Sequence, residues 1–376
     1  MRSGNAFTGF IQKMNNSRRK ISKLVNDPKL SKTYFPQTPR KSKWGIWRDN
    51  LLWLTKHREV NHYYYLYGLD RKNIGAEKEV LPYRIFRRIR DSRNQHPKDV
   101  NFNYASLLRD KFIFGQLLSS LQFPTPKNIA LINNGQLTWL DSMKTVPLTS
   151  IAQETKGTID GFCKKLTGQM GEGAFPLRIQ EGKIYNSDTE LSAEQLEQKI
   201  IGHYLFQERI AQHPNISILH PYSVNTIRLI TFNNQDKIEV FSGSMRIGTK
   251  KRKVDNWNSG GIAVSIDLQS GTLRGPGFYK PGFGGCVEAH PDSGVELHGY
   301  QLPYFKESID LVCRLHRYLY GIHSIGWDIA ITPNGPILVE GNDDWDGSMP
   351  MALERNFKSR FLQMFSNNGR ASHHGS

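Results

Sequence analysis

Two acids and an amide, Asp328, Glu340 and Asn342, are spaced for shared chemistry. They fall in Ile325-Gly326-Trp327-Asp328-Ile329-Ala330-Ile331-Thr332-Pro333-Asn334-Gly335-Pro336-Ile337-Leu338-Val339-Glu340-Gly341-Asn342, which reads as two strands joined by a Pro-Asn-Gly-Pro turn. With the turn centred on Asn334, Asp328 lies as far before it as Glu340 lies after it, so the two oppose each other. Directly opposed residues have Cβ atoms about 5 Å apart, and the two-residue period places Asn342 on the face of Glu340. Like charges held so close repel unless a cation, a proton or hydrogen bonds compensate. Mg²⁺ suits the position, because it takes carboxylate and amide oxygens and is commonly shared with nucleotide phosphates. A one-residue slip, to which a loop with two prolines is open, would instead turn one acid to solvent.

A second passage is Asp160-Gly161-Phe162-Cys163-Lys164-Lys165-Leu166-Thr167-Gly168-Gln169-Met170-Gly171-Glu172-Gly173-Ala174-Phe175. Gly168, Gly171 and Gly173 would let backbone N–H groups approach a polyphosphate, and a strand-borne Lys164 would supply a point charge to it. No Gly-Lys-Ser/Thr follows and no helix is evident directly after, which excludes a Walker loop and a dinucleotide fingerprint. On its own such a run is more often a plain hairpin turn than a nucleotide site.

Together the two passages resemble the ATP-grasp superfamily. Through Pro221-Tyr222-Ser223-Val224-Asn225-Thr226-Ile227-Arg228 and Ile325-Gly326-Trp327-Asp328 they are most similar to its sugar-transfer-associated members, over about residues 60–365. The resemblance implies an ATP-grasp fold in which two α/β subdomains clasp ATP, with two Mg²⁺ ions held by Asp328, Glu340 and Asn342. It implies that Lys164, with Lys165 as the alternative, and the loop glycines Gly168, Gly171 and Gly173 cover the phosphates. Lys127 is either a further phosphate-reaching lysine or a surface residue. The strand Leu205-Phe206-Gln207-Glu208-Arg209 matches a hinge in which Gln207 and Glu208 meet adenine and ribose. Arg228 and Arg246 would steady the transferring phosphoryl group or serve as salt-bridge partners, and the glycines of Ser259-Gly260-Gly261, after Asp255-Asn256, would border the acceptor.

The implied activity is that of an ATP-dependent carboxylate-amine ligase working through an acyl phosphate. Its substrates would be small-molecule carboxylates and amines, sugar-linked ones included, in glycan or cell-envelope precursor modification. A kinase acting on a hydroxyl acceptor and a non-catalytic anion-binding protein are the alternatives.

The elements that must position these residues are mixed. Apolar residues recur at helical spacing over 105–121, Phe123-Pro124-Thr125-Pro126 stops that helix, and Ile129-Ala130-Leu131-Ile132 reads as a strand ended by Asn133-Asn134-Gly135. Strand-like runs follow at 225–232, 238–247 and 262–268, with helices at about 190–207 and 303–320. The class is α/β or α+β. The division expected is a basic, partly helical extension (1–100), an N-terminal α/β subdomain (101–150), a lid with the glycine loop (151–207), a catalytic subdomain (208–366) and a tail (367–376). Residues 1–45, polar and interrupted by prolines, read as mobile or peripheral. The run His62-Tyr63-Tyr64-Tyr65-Leu66-Tyr67-Gly68-Leu69-Asp70, followed by Leu81 to Arg90, reads as helices packed on the main body, with base stacking as the alternative.

With 38% hydrophobic and 22% charged residues, 376 residues can bury a sizeable core. No apolar run approaches the roughly 20 residues of a membrane span, and Met1 to Lys20 lacks the core of a signal peptide, so a cytoplasmic location without a transmembrane segment is expected. Residues 1–100 hold 23 Lys and Arg against 8 Asp and Glu, so nearly all of the +16 net charge sits there. That region either meets an anionic membrane surface, nucleic acid or acidic polymer, or is a solvated face. Lys250-Lys251-Arg252-Lys253 is likewise a solvated loop or an anion site. Cys163, Cys286 and Cys313 read as reduced thiols, Cys313 as a small core residue, and His290, His298, His316 and His323 as structural or surface residues without zinc spacing.

Overall fold

A computed structural model describes residues 3–72, 80–94, 103–168, 171–234, 237–354 and 356–366. The tail expected at 367–376 and the loop residues Gln169 and Met170 lie outside the described residues.

Among the described residues, the middle of the chain folds into an eight-stranded antiparallel sheet. Its spatial order is Thr145–Pro147, Gln136–Trp139, Asn128–Asn133, His203–Glu208, Ile159–Lys165, Phe175–Gln180, Lys183–Asn186 and Thr189–Leu191. The turn at Asn134 and Gly135 has φ of 46° and 77°, the two left-handed residues that a tight hairpin demands. The second sheet, antiparallel and seven-stranded, runs Cys286–Val287, Leu273–Tyr279, Ile262–Ile266, Lys237–Ile247, Thr226–Asn234, Ser324–Thr332 and Gly335–Asn342.

On one face of the second sheet, Leu311, Val312 and Leu315 of the amphipathic helix Phe305–Tyr318 share a core with Ile227, Leu229 and Ile329. The other face buries Phe232 and Phe241 with Phe86, Trp345, Phe357 and Phe361. Phe86 meets Trp345 edge-on at 5.0 Å between ring centroids. Each such side chain contributes roughly 1.5–3 kcal/mol on burial.

The N-terminal residues are not peripheral. Ile21, Leu24 and Val25, at the end of the helix Ser3–Asn26, are buried with Ile46 and Trp53 of the helix Lys43–His57 and with Trp257, Ala263 and Phe278 of the main body. The buried Tyr34 hydroxyl donates to the Tyr279 carbonyl at 2.8 Å. Counting charge had hidden this apolar face. Residues 62–70 are consecutive turns rather than a helix. Their tyrosines belong to the core all the same: Tyr64 and Tyr65 are buried, the Tyr64 hydroxyl donates to Asp49 at 2.9 Å, and Tyr63 stacks on Trp257. Rings so buried offer no surface for base stacking. The helix Tyr83–Asn94 follows.

Two expected helices are cut short. The run at 105–121 splits into Ala105–Arg109 and Lys111–Ser120, because Asp110 turns extended and its carboxylate accepts from Phe112 N and Ile113 N at 2.9 Å. The run at 190–207 is the helix Ala193–Lys199, opened by a Ser192/Gln195 capping box, and then the strand His203–Glu208 beyond Gly202. Cys313 lies half-buried at the edge of the core, whereas Cys163 is fully buried. His316 is structural, its two ring nitrogens within hydrogen-bond distance of Thr231 Oγ1 and the Ile322 carbonyl.

Candidate functional site

The register of the second sheet assembles a row of charge. Arg228, Asp328 and Glu340 stand opposite one another on three neighbouring strands. The reason differs from that expected: the hairpin turn has two central residues, with Thr332 paired to Gly335, and a bulge at Val339 then brings Glu340 level with Asp328. Val339, Glu340 and Asn342 all face a cleft of about 930 Å³.

Charge compensation comes from arginine. Arg228 grips Asp328 with Nε at 2.6 Å and Nη2 at 3.0 Å, and Arg246 reaches diagonally to Asp328 Oδ2 at 2.8 Å. Burial pushes the Asp328 carboxyl up, but the two guanidinium groups outweigh it and hold it below its ordinary value. Burial also works against charge on Arg246, which Asp328 and Asp255 nevertheless keep raised. Asp255, raised by burial, accepts from Thr226 N and Thr226 Oγ1 at 2.9 and 2.5 Å.

Across the cleft, the glycine passage is a hairpin loop between the strands Ile159–Lys165 and Phe175–Gln180. Gly171 (φ 75°) lies against Val254, and Gly173 (φ 67°) leaves 2.7 Å between a notional Cβ and the Tyr204 hydroxyl, so neither position accepts a larger residue without strain. Of the two lysines, Lys165 is tied to Glu172 at 2.6 Å. Lys164 lines the cleft and has no hydrogen-bond partner among the described residues. Burial lowers its ammonium below the ordinary lysine range, Glu340 opposes that, and Lys111 adds to it.

Lys111 escaped the sequence reading. Its Nζ donates to the Gly168 carbonyl at 2.6 Å and lies 3.2 Å from Glu340 Oε1, while its backbone N–H meets the Leu166 carbonyl. One side chain thus links the glycine hairpin to the carboxylate row. The signal was Asp110, a helix-capping residue directly before it, masked by the unbroken apolar period around it.

The cleft therefore gathers Lys164, Gly168, Gly171, Glu208, Arg228, Arg246, Asp328, Glu340 and Asn342. Three expected residues stand outside it. Lys127 lines a second, smaller recess with Asn128 and Asp141, because the strand that starts at Asn128 leaves the cleft there. Gln207 is buried and donates to Asn128 Oδ1 at 2.8 Å, and Gly173 sits behind the loop against Lys165 and Tyr204. Ser259, Gly260 and Gly261 also lie off the lining, with Asn256, Trp257 and Asn258 taking their place. From the basic run, Lys253 lines the cleft, and Lys251 and Lys253 stand over the exposed Tyr222 ring at 5.9 and 5.6 Å.

Among the described residues no group of three or more His, Cys, Asp or Glu is gathered for a metal. The carboxylate row nonetheless fits a hard cation. Glu340 Oε2 and Asn342 Oδ1 have no hydrogen-bond partner among the described residues, since Asn342 engages the Gly326 carbonyl through Nδ2 and Glu340 meets Lys111 through Oε1. Asp328 could lend only an oxygen shared with the arginines.

The family model described as sugar-transfer associated ATP-grasp matches residues 93–366. No curated protein matches the chain by sequence. Solved structures similar to it include N5-carboxyaminoimidazole ribonucleotide synthetase from Thermotoga maritima, at 12% identity over 63% of this chain and 42% of that one, TM-score 0.34. D-Alanine-D-alanine ligase from Helicobacter pylori shows 11% identity over 71% and 60%, TM-score 0.39. N5-carboxyaminoimidazole synthetase from Staphylococcus aureus shows 12% over 69% and 51%, TM-score 0.39. The chain spans about half the length of these structures.

Proposed function

We propose that this chain, which belongs to the sugar-transfer associated ATP-grasp family over residues 93–366, is an ATP-dependent carboxylate-amine ligase that activates its acid as an acyl phosphate. One observation carries the reading: the Arg228, Asp328 and Glu340 row faces Lys164, Lys111 and a glycine hairpin across a single cleft.

In this reading the triphosphate lies between hairpin and row. The glycine hairpin at Gly168 and Gly171 lets the backbone approach it closely, and Lys164 and Lys111 supply positive charge at its oxygens. Glu340 and Asn342 would hold Mg²⁺, with an Asp328 oxygen shared, and the ion would offset phosphate charge. Arg246 and Arg228, fixed by Asp328, meet the charge that develops as the substrate carboxylate takes the γ-phosphoryl group and ADP leaves. Attack of an amine on the acyl phosphate then forms the amide and releases phosphate. The hairpin excludes water, which would otherwise hydrolyse the activated acid. Glu208 stands at the cleft wall where a ribose would lie. Sugar-linked substrates and a place in glycan or cell-envelope precursor modification are part of this proposal.

The test is ATP binding with and without Mg²⁺, wild type against Glu340→Ala. The expected result is an affinity lowered about tenfold or more together with loss of the Mg²⁺ requirement. An unchanged affinity and an unchanged requirement would remove the row from the site.

A further inference from the structure

The helix Lys43–His57 has two faces of opposite character. Ile46, Asn50 and Trp53 point inward and are buried. Trp44, Arg48 and Leu52, four residues apart, form one outward stripe, with Trp44 69% and Leu52 56% exposed. Trp and Leu are costly to leave in water, and nothing among the described residues covers them. The Arg48 guanidinium lies 5.8 Å from the Trp44 ring, and its side chain is 59% exposed.

We infer that this stripe seats the protein on an anionic lipid surface. Tryptophan prefers the boundary between headgroups and acyl chains, where its ring is apolar and its N–H stays wet, and an arginine beside it keeps its stem apolar and its charge at phosphate level. Leu52 supplies the second apolar anchor. The surroundings complement negative charge: residues 1–100 carry nearly all of the +16 net charge, and the helix Ser3–Asn26, packed against this one, exposes Arg18, Arg19, Lys20 and Lys23. The one acid on the helix, Asp49, is engaged by Lys41 at 2.6 Å and by the Tyr64 hydroxyl, and lies 3.8 Å from Arg48 Nη2, a looser contact that leaves the Arg48 side chain 59% exposed. An apolar stripe and a basic flank are the two weak signals that together give reversible surface attachment. Among the described residues no helix is long and apolar enough to cross a membrane, so the attachment inferred is peripheral.

Other occupants fit less well. A second copy of this chain would bring two strongly basic faces together, and a nucleic acid would leave Leu52 without a use while the stackable tyrosines are buried. The surface belongs to residues outside the family match of 93–366.

Co-sedimentation of the full chain with vesicles tests the inference, using phosphatidylcholine alone and phosphatidylcholine with about 30 mol% phosphatidylglycerol. Wild type is expected to bind the anionic vesicles at least about tenfold more strongly than the neutral ones. Trp44→Ser with Leu52→Ser should lower that binding about tenfold or more, Trp44→Phe should retain most of it, and ATP binding should be equal in all three proteins. Failure of wild type to sediment with anionic vesicles overturns the inference. So does equal binding by the double variant, and so does tighter binding to a DNA duplex than to anionic vesicles at the same salt.

Discussion

Lys164 and Lys111 face the same carboxylate but are held differently, and pH separates them. Lys111 already donates to the Gly168 carbonyl and pairs with Glu340. The Lys164 ammonium has no hydrogen-bond partner among the described residues, and burial lowers its pKa. A triphosphate arriving beside it favours the charged form, so its pKa is higher in the bound state than in the free one. The contribution to affinity is then fully present below the free-state value and disappears as pH rises through the bound-state value. Calorimetry of ATP binding in two buffers of different ionisation heat should show net proton uptake at pH between the free-state and bound-state pKa of Lys164, and Lys164→Met should abolish it. Uptake that survives in Lys164→Met would assign the proton elsewhere. At this scale Asp328, Glu340 and Asn342 were legible as opposed residues of one hairpin, although a bulge at Val339, and not the turn-centred period alone, brings Glu340 level with Asp328. Lys127 stayed open between a phosphate-reaching and a surface role, because its neighbouring prolines mark where a strand begins but not which way its side chain faces, and it lines the second recess. That Asp328 is the salt-bridge partner of Arg228 and Arg246 was not legible, since the two arginines stand on strands about 100 and about 80 residues before it, a separation that no local period connects.

Elements place these residues through their ends as much as through their regular parts. Asp110 separates two short helices and caps the second, so that Lys111 enters at its first turn beside Gly168 and Glu340. Asp110→Ala removes the cap, at a cost of about 1 kcal/mol, and lets the two helices join, which swings Lys111 off the carboxylate. The expected outcome is a small loss in urea stability with a disproportionate loss of ATP affinity, and Asp110→Asn should restore both. Equal affinity in Asp110→Ala would show that Lys111 does not depend on the break. The strands were readable here because apolar alternation and turns such as Asn134-Gly135 are local signals. Helix breaks were less readable, because Asp110 and Gly202 interrupt a periodicity that continues on both sides of them. The bulge at Val339 is the same kind of feature: one extra residue, absent from any periodic pattern, keeps Glu340 level with Asp328 after a tighter turn than the prolines suggested.

The whole molecule sets how far the family-matched segment can stand alone. Residues 93–366 contain the complete charge row and the glycine hairpin, yet one side of their main sheet is finished by what comes before. Trp257, Ala263 and Phe278 share a buried cluster with Ile21, Trp53, Tyr64 and Leu66, Tyr34 meets the Tyr279 carbonyl, and Phe86 fills the aromatic cluster around Trp345. Removing the extension would put all of that apolar surface in water, and each buried side chain lost counts for roughly 1.5–3 kcal/mol against a total stability of only about 5–15 kcal/mol. A chain beginning at residue 93 is therefore expected to be insoluble or to lack a cooperative urea transition, even though it keeps Lys111, Lys164, Arg228, Arg246, Asp328, Glu340 and Asn342 and loses only Tyr83, Arg87 and Arg90 from the cleft lining. Trp53→Ala in the full chain isolates the packing contribution, with an expected loss of about 3–5 kcal/mol and unchanged ATP affinity in the fraction that stays folded. A truncated chain that unfolds cooperatively at the midpoint of the full protein would mean that the N-terminal quarter is an appendage and that the core of the second sheet is closed without it.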